Sequence, residues 1–120
     1  MKRLFTAAGI LMLSWATLGA QQPGFEVKPN VVNKNSGTLV PVTIYATSSF
    51  NDPVRLEIYD VFGNLVWDSV AETGGRDTMK WWGTTNGGRN VQSGQYILII
   101  KVIENGREGV KDRQWIGVLW

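Results

Sequence analysis

The chain has 120 residues, among which 12 lysines and arginines nearly balance 10 aspartates and glutamates, and it contains neither histidine nor cysteine. It therefore lacks the usual general base near neutral pH, the usual thiolate nucleophile, the preferred ligands of zinc and any disulfide. The near balance of charge leaves no surplus of cations for phosphates, so we expect no nucleic-acid partner.

The first twenty residues have the pattern of a cleavable secretory signal. Lys2 and Arg3 precede a largely apolar stretch over residues 4–18, and small residues lead up to Ala20. A membrane anchor is the less favoured alternative, because a bilayer span needs roughly 20 apolar residues. We predict cleavage after Ala20 and a single exported domain over residues 21–120. This domain would be formally neutral, without a transmembrane segment, and periplasmic, extracellular or at the cell surface.

After this signal the sequence shows strand patterns separated by turns, and no convincing helix. A tight turn at Phe62-Gly63-Asn64 predicts a hairpin over 54–67, and Asn105-Gly106 is a strong two-residue hairpin signal. Seven short strands within about 100 residues predict an all-β, antiparallel immunoglobulin-like sandwich. The predicted strands are 25–28, 39–45, 54–59, 65–67, 78–82, 96–103 and 110–120.

Two segments, VRLEIYDVFGNLVW and WWGTTNGGRNVQSGQYILII, resemble the immunoglobulin-like domain of the flagellar hook-capping (FlgD-like) family. Related versions are type IX secretion sorting domains and gliding-motility-associated C-terminal modules. The residues that match the family pattern are Ile58, Tyr59, Asp60, Gly63, Val66, Trp81, Gly83, Gly87, Gly88, Ser93, Gly94 and Tyr96. The resemblance implies a seven-stranded sandwich without catalytic residues that serves as a structural or attachment module.

Two features depart from the family pattern. Trp82 stands where the family usually has aspartate, and the chain ends in RQWIGVLW, whereas sorting domains commonly close on a lysine, a short strand and a basic end. These departures argue against a secretion-signal role. The single predicted domain also argues against a tail appended to an enzyme.

One pair of carboxylates could carry chemistry, because Asp60 and Asp68 flank the predicted hairpin. Such a pair could serve glycoside hydrolysis or bind Ca²⁺. Aspartate in a turn more often accepts hydrogen bonds from local backbone N–H groups, and we favour that role for Asp60, with Asp68 solvated. We predict no enzymatic activity, no cofactor and no metal ion.

Side-chain alternation predicts a candidate interaction surface. If Val66 and Trp81 point inward, the residues that follow each of them point outward, and a core face that begins at Tyr96 leaves alternate isoleucines outside. Alternatively, the tryptophans cover one another or a loop, and a tryptophan or residues 21–29 cover the isoleucines. The candidate surface consists of Trp67, Trp82, Ile97, Ile99, Ile103 and Trp120.

Exposed contiguous apolar area usually marks an interface. We therefore predict a secreted, non-enzymatic β-sandwich that acts as a structural or protein-interaction component of a bacterial envelope or extracellular assembly, with self-association as one form of that contact. The alternative is a carbohydrate-binding module that uses exposed tryptophans as stacking surfaces.

Overall fold

The computed structural model of the chain describes residues 24–35, 37–73 and 76–120. The predicted signal peptide over residues 1–20 lies outside the described residues. Within these ranges no helix could cross a membrane. The strands are β1 (Phe25–Val27), β2 (Val31–Asn33), β3 (Val42–Ala46), β4 (Val54–Tyr59), β5 (Leu65–Ala71), β6 (Met79–Trp81), β7 (Gly94–Glu104) and β8 (Arg107–Leu119).

The strands form two sheets, one of three strands in the order β1-β3-β6 and one of five in the order β2-β8-β7-β4-β5. The predicted immunoglobulin-like β-sandwich is confirmed, and all strand pairs but one are antiparallel. The exception is β2, which sequence patterns did not reveal and which pairs in parallel with Gly117–Leu119 of β8. A strand this short carries too little alternation to be recognised.

The core lies between the two sheets and follows strand alternation. In β7 and β4 every second side chain is buried, and the fully buried Trp81 of β6 faces them from the other sheet. The Trp81 indole N–H donates to the Thr84 carbonyl at 2.8 Å, and its ring centroid lies 5.7 Å from that of Tyr96. The inward positions predicted for Trp81 and Tyr96 are therefore confirmed. Burying each aliphatic side chain contributes about 1.5–3 kcal/mol to the free energy that stabilises the folded state.

The β4–β5 hairpin contains a β-bulge that inverts the expected alternation. Ile58 pairs with Trp67 but Tyr59 pairs with Leu65, so Val66 is an extra residue. Trp67 therefore shares the inward face of Ile58 and packs against the core, with its ring centroid 6.5 Å from that of Trp81. The prediction that Trp67 points outward is wrong, because one extra residue moves every later side chain to the opposite face.

The glycine-rich loop between β6 and β7 covers the middle of the outer edge of β5. The Asn86 side chain accepts a hydrogen bond from the Asp68 N–H at 3.0 Å and donates one to the Asp68 carbonyl at 2.8 Å. A primary amide thus replaces the neighbouring strand that β5 lacks. Covering an edge in this way limits its pairing with other chains.

Replacing Asn86 with alanine is expected to lower the free energy of unfolding by about 1 kcal/mol, because two exposed hydrogen bonds are exchanged for bonds to water. Hydrogen exchange at the Asp68 amide should also accelerate. Chemical denaturation and amide exchange measure the two effects. Asn51→Ala is the matched control, since the Asn51 side chain is exposed on a loop. Equal effects of the two substitutions would contradict the role given to Asn86.

Candidate interaction surface

Each of the two hairpin carboxylates is engaged by partners of its own. Asp60 accepts hydrogen bonds from the backbone N–H groups of Phe62 and Asn64, both at 2.9 Å, and from the Asn64 side chain at 3.1 Å. The favoured role of Asp60 in its turn is confirmed. Asp68 is not simply solvated, because it pairs with Arg55 at 3.1 Å. Among the described residues, no group of three or more acidic side chains is placed to bind a metal ion.

The turn hydrogen bonds give Asp60 a predictable pH dependence. The backbone N–H of Asn64 is the largest cause that holds the pKa of Asp60 below its ordinary value. The contribution of ionised Asp60 to the free energy of unfolding is fully present above the pKa of an unfolded aspartate, about 4. It is lost as the pH falls through the lower pKa of the folded state. A carboxyl NMR titration should show this lower midpoint, and Asp60→Asn should flatten the acid limb of stability. A midpoint at or above about 4 would contradict the assignment.

The outward face of the five-stranded sheet carries an apolar row that crosses four strands. Cross-strand pairing aligns Trp115, Ile97, Tyr59 and Leu65. Trp115 is 58% exposed and Leu65 48%, whereas Ile97 is half-buried between its neighbours. This apolar row presents a continuous band of hydrophobic side chains on a sheet whose backbone is held by hydrogen bonds.

A groove extends the apolar row toward the edge of the sheet. It has a volume of about 530 Å³, and its lining includes Trp115 together with exposed Val31 and Leu119. Gly117 pairs with Val31 and lines the groove without a side chain. A Cβ atom at Gly117 would lie 3.6 Å from the Val31 side chain, so larger residues there would fill the groove.

An ionic cluster, which we define as Arg55, Glu57, Asp68, Lys101 and Glu108, lies on the same face beyond the apolar row. Arg55 bonds Asp68 at 3.1 Å and Glu108 at 2.5 Å, and Lys101 lies 3.0 Å from Glu57 and 3.7 Å from Glu108. The hydrogen bond from Arg55 lowers the pKa of Glu108. Such partly exposed pairs stabilise little, but they divide the face into a charged part and an apolar part.

The three predicted isoleucines lie on this outward face, as alternation requires. Each is half-buried: Ile99 is flanked by Glu57 and Arg113, and Ile103 pairs with Glu108. Neighbouring long side chains therefore cover part of the isoleucine row. The predicted alternative of a covering N-terminal segment does not hold for residues 25–27, which pair with β3 in the other sheet.

The remaining predicted tryptophans lie elsewhere. Trp82 is 44% exposed and follows β6 of the other sheet. Trp120 is 41% exposed, donates its indole N–H to the Val91 carbonyl at 3.0 Å, and has the Lys34 ammonium 4.8 Å from its ring centroid. The six predicted residues thus do not form one patch. Only the three isoleucines share a face, and their role in an interaction stays a prediction.

Sequence reasoning missed the most exposed aromatic residues of the surface. Phe62 is 86% exposed at the tip of the β4–β5 hairpin. Trp115 could have been found by alternation, because the buried Ile116 that follows it places Trp115 on the outward face of β8. Phe62 lies in a turn, where alternation gives no orientation.

Comparison with known proteins identifies relatives of this sandwich. Residues 27–118 match the model of the CHU_C type IX secretion signal domain. The match supports the type IX part of the resemblance seen in the sequence, and not its hook-capping part. No curated protein matches the chain.

Two solved structures share the fold. One is dimeric latent PorU from Porphyromonas gingivalis, with a TM-score of 0.61 and 23% identity, covering 81% of this chain and 9% of that one. The other is PorZ from the same organism, described as an essential bacterial surface component of the type IX secretion system, with a TM-score of 0.52, 22% identity, and coverage of 81% and 12%. The chain therefore spans about a tenth of the length of either structure.

Proposed function

The chain belongs to the CHU_C type IX secretion signal domain family, and from this membership we propose that it is a non-catalytic sorting module recognised by a protein of the type IX secretion apparatus. The observation that carries the proposal is the match over residues 27–118, which includes nearly the whole described sandwich and not one motif alone. A secretion-signal domain implies an exported protein at the cell surface or outside the cell.

The family match corrects one expectation from the sequence. The tryptophan at position 82 and the ending RQWIGVLW argued against a secretion-signal role, yet both lie in a chain that matches a secretion-signal family. The side-chain inventory agrees with a non-catalytic module, since Asp60 is engaged in its turn and Asp68 in an ion pair.

We assign recognition by the apparatus to the apolar row and the adjoining groove. Trp115, Leu119 and Val31 are exposed and line the same groove, whereas each charged group of the ionic cluster already has an oppositely charged partner. Large aromatic side chains with apolar neighbours are typical centres of protein interfaces. The carbohydrate-binding alternative needs exposed tryptophans that together form a stacking surface. Trp67 instead packs against Trp81 and does not form such a surface with Trp82.

A reporter inserted between residues 20 and 21 of the full chain tests the sorting function. In a bacterium with a type IX system the reporter should become accessible to external protease, and in a strain without that system it should remain protected. A chain that carries the same reporter but lacks residues 24–120 is the control. Equal accessibility in both strains would overturn the proposal.

A further inference from the structure

Among the residues that the structure describes, the outer edge of β8 has no neighbouring strand over most of its length. β2 pairs only with Gly117–Leu119, and the Gly117 N–H donates to the Asn30 carbonyl at 3.0 Å. Because main-chain groups of alternate residues point to the same side of a strand, those of Trp115 and Arg113 also point to this edge.

In the other half of β8, the main-chain groups that point to this edge belong to residues of the opposite parity, because Lys111 is an extra residue relative to β7. The Ile103 N–H donates to the Pro53 carbonyl at 2.9 Å. The main-chain groups of odd-numbered residues in β7 therefore point toward β4, and those of even-numbered residues point toward β8. Val102 pairs with Gly109, so the main-chain groups of Gly109 point toward β7. Those of its neighbours Val110 and Glu108 therefore point away from β7, to the outer edge of β8. We call Glu108, Val110, Arg113 and Trp115 the open edge.

The other sheet edges in the described part of the chain are short or covered. β1, β2 and β6 have three residues each, and Asn86 covers the middle of β5. Along the open edge, one N–H has a local acceptor: Arg113 donates to the Asp112 carboxylate at 2.8 Å. The open edge is thus the longest run of edge-facing backbone groups without a neighbouring strand among the described residues.

We propose that a second copy of the chain pairs with the open edge, antiparallel and about a two-fold axis, so that the two five-stranded sheets continue into one. In this register Val110 lies opposite Arg113 of the second copy, and Glu108 lies opposite Trp115. Each pair joins groups that face the edge in both copies. The extra residue of one copy lies next to that of the other across the axis, so the two bulges do not offset the register.

Charge selects the same register. It sets Lys111 opposite Asp112 of the second copy, and the two-fold axis repeats this pair. A shift by one residue in either direction sets Lys111 opposite Lys111 or Arg113 of the second copy, so that like charges meet. It also sets main-chain groups that point to the edge opposite main-chain groups that point toward β7. Opposite charges across a strand pair stabilise, and like charges destabilise. This association does not depend on the proposed sorting function.

Sedimentation equilibrium on the full chain and two single variants tests the pairing. Wild type should show a concentration-dependent dimer. Lys111→Glu and Asp112→Lys should each weaken association about tenfold, since each sets like charges together twice. An equimolar mixture of the two variants should regain dimer. In the mixed dimer the introduced glutamate of one variant meets the introduced lysine of the other, and the unchanged Asp112 and Lys111 meet at the second, symmetry-related position.

The mixture separates this pairing from a general loss of stability, because both single variants also change contacts within their own chain. Lys111 lies 3.5 Å from Glu104, and Asp112 accepts the Arg113 N–H and the Gln114 amide. Circular dichroism on each variant establishes folding before mixing. A monomeric wild type at millimolar concentration, or a mixture no more associated than its components, would overturn the proposal.

Discussion

Replacing Trp81 with alanine is expected to lower the free energy of unfolding by about 3–5 kcal/mol, the largest effect on stability of any substitution considered for this chain. Trp81 is fully buried, packs against Tyr96 and Trp67, and satisfies the Thr84 carbonyl with its indole N–H. Alanine would leave a large cavity between the two sheets and an unpaired carbonyl. Urea denaturation monitored by far-UV circular dichroism measures the loss.

The neighbouring tryptophan supplies the matched control for Trp81. Trp82 has the same chemistry but is 44% exposed, so Trp82→Ala should change stability by no more than about 0.5 kcal/mol. Trp81→Phe keeps an aromatic ring but removes the hydrogen bond to Thr84, and its cost should lie between those of the two alanine variants. Similar losses from Trp81→Ala and Trp82→Ala would contradict the core assigned here.

Replacing Trp115 with alanine is expected to reduce surface display of the reporter at least tenfold while the chain stays folded. Trp115 is 58% exposed, so its removal should cost less than about 1 kcal/mol of stability. Truncating an aromatic residue at the centre of an interface commonly costs about 2 kcal/mol or more of binding free energy. This exceeds a tenfold change in affinity. External protease accessibility and thermal unfolding measure the two quantities.

Trp82 serves again as the control for display, because it is also exposed but directly follows β6 of the other sheet. Trp82→Ala should leave surface display unchanged. If both variants display as wild type does, the apolar row is not the recognised surface. If Trp115→Ala loses display together with its thermal transition, the loss reflects folding, and the assignment to this row fails.

Local patterns were enough to predict the fold class and most of the core. Alternation in β4 and β7 placed their buried residues correctly, because a regular strand sends successive side chains to opposite faces. The role of Asp60 was predictable for the same kind of reason, since its hydrogen-bond donors lie within four residues of it. The spacing of glycines and aromatic residues indicated a hook-capping-like domain with type IX relatives, and the family match supports only the type IX part of that resemblance.

The surface was less predictable, because it depends on pairings between distant segments. The extra residue at Val66 turned Trp67 inward, and whether a hairpin contains a bulge is decided by its cross-strand register. The apolar row joins side chains from four strands, and Asn86 bonds Asp68 of a strand that precedes it by 18 residues.

The amino-acid sequence by itself thus determined an all-β chain with a known core face, because turns and alternation act over a few residues. Only the tertiary structure decided which side chains meet on the outside, which sheet edge stays open and where Trp67 points. Those outcomes depend on register, and one residue of offset between strands reverses every face that follows.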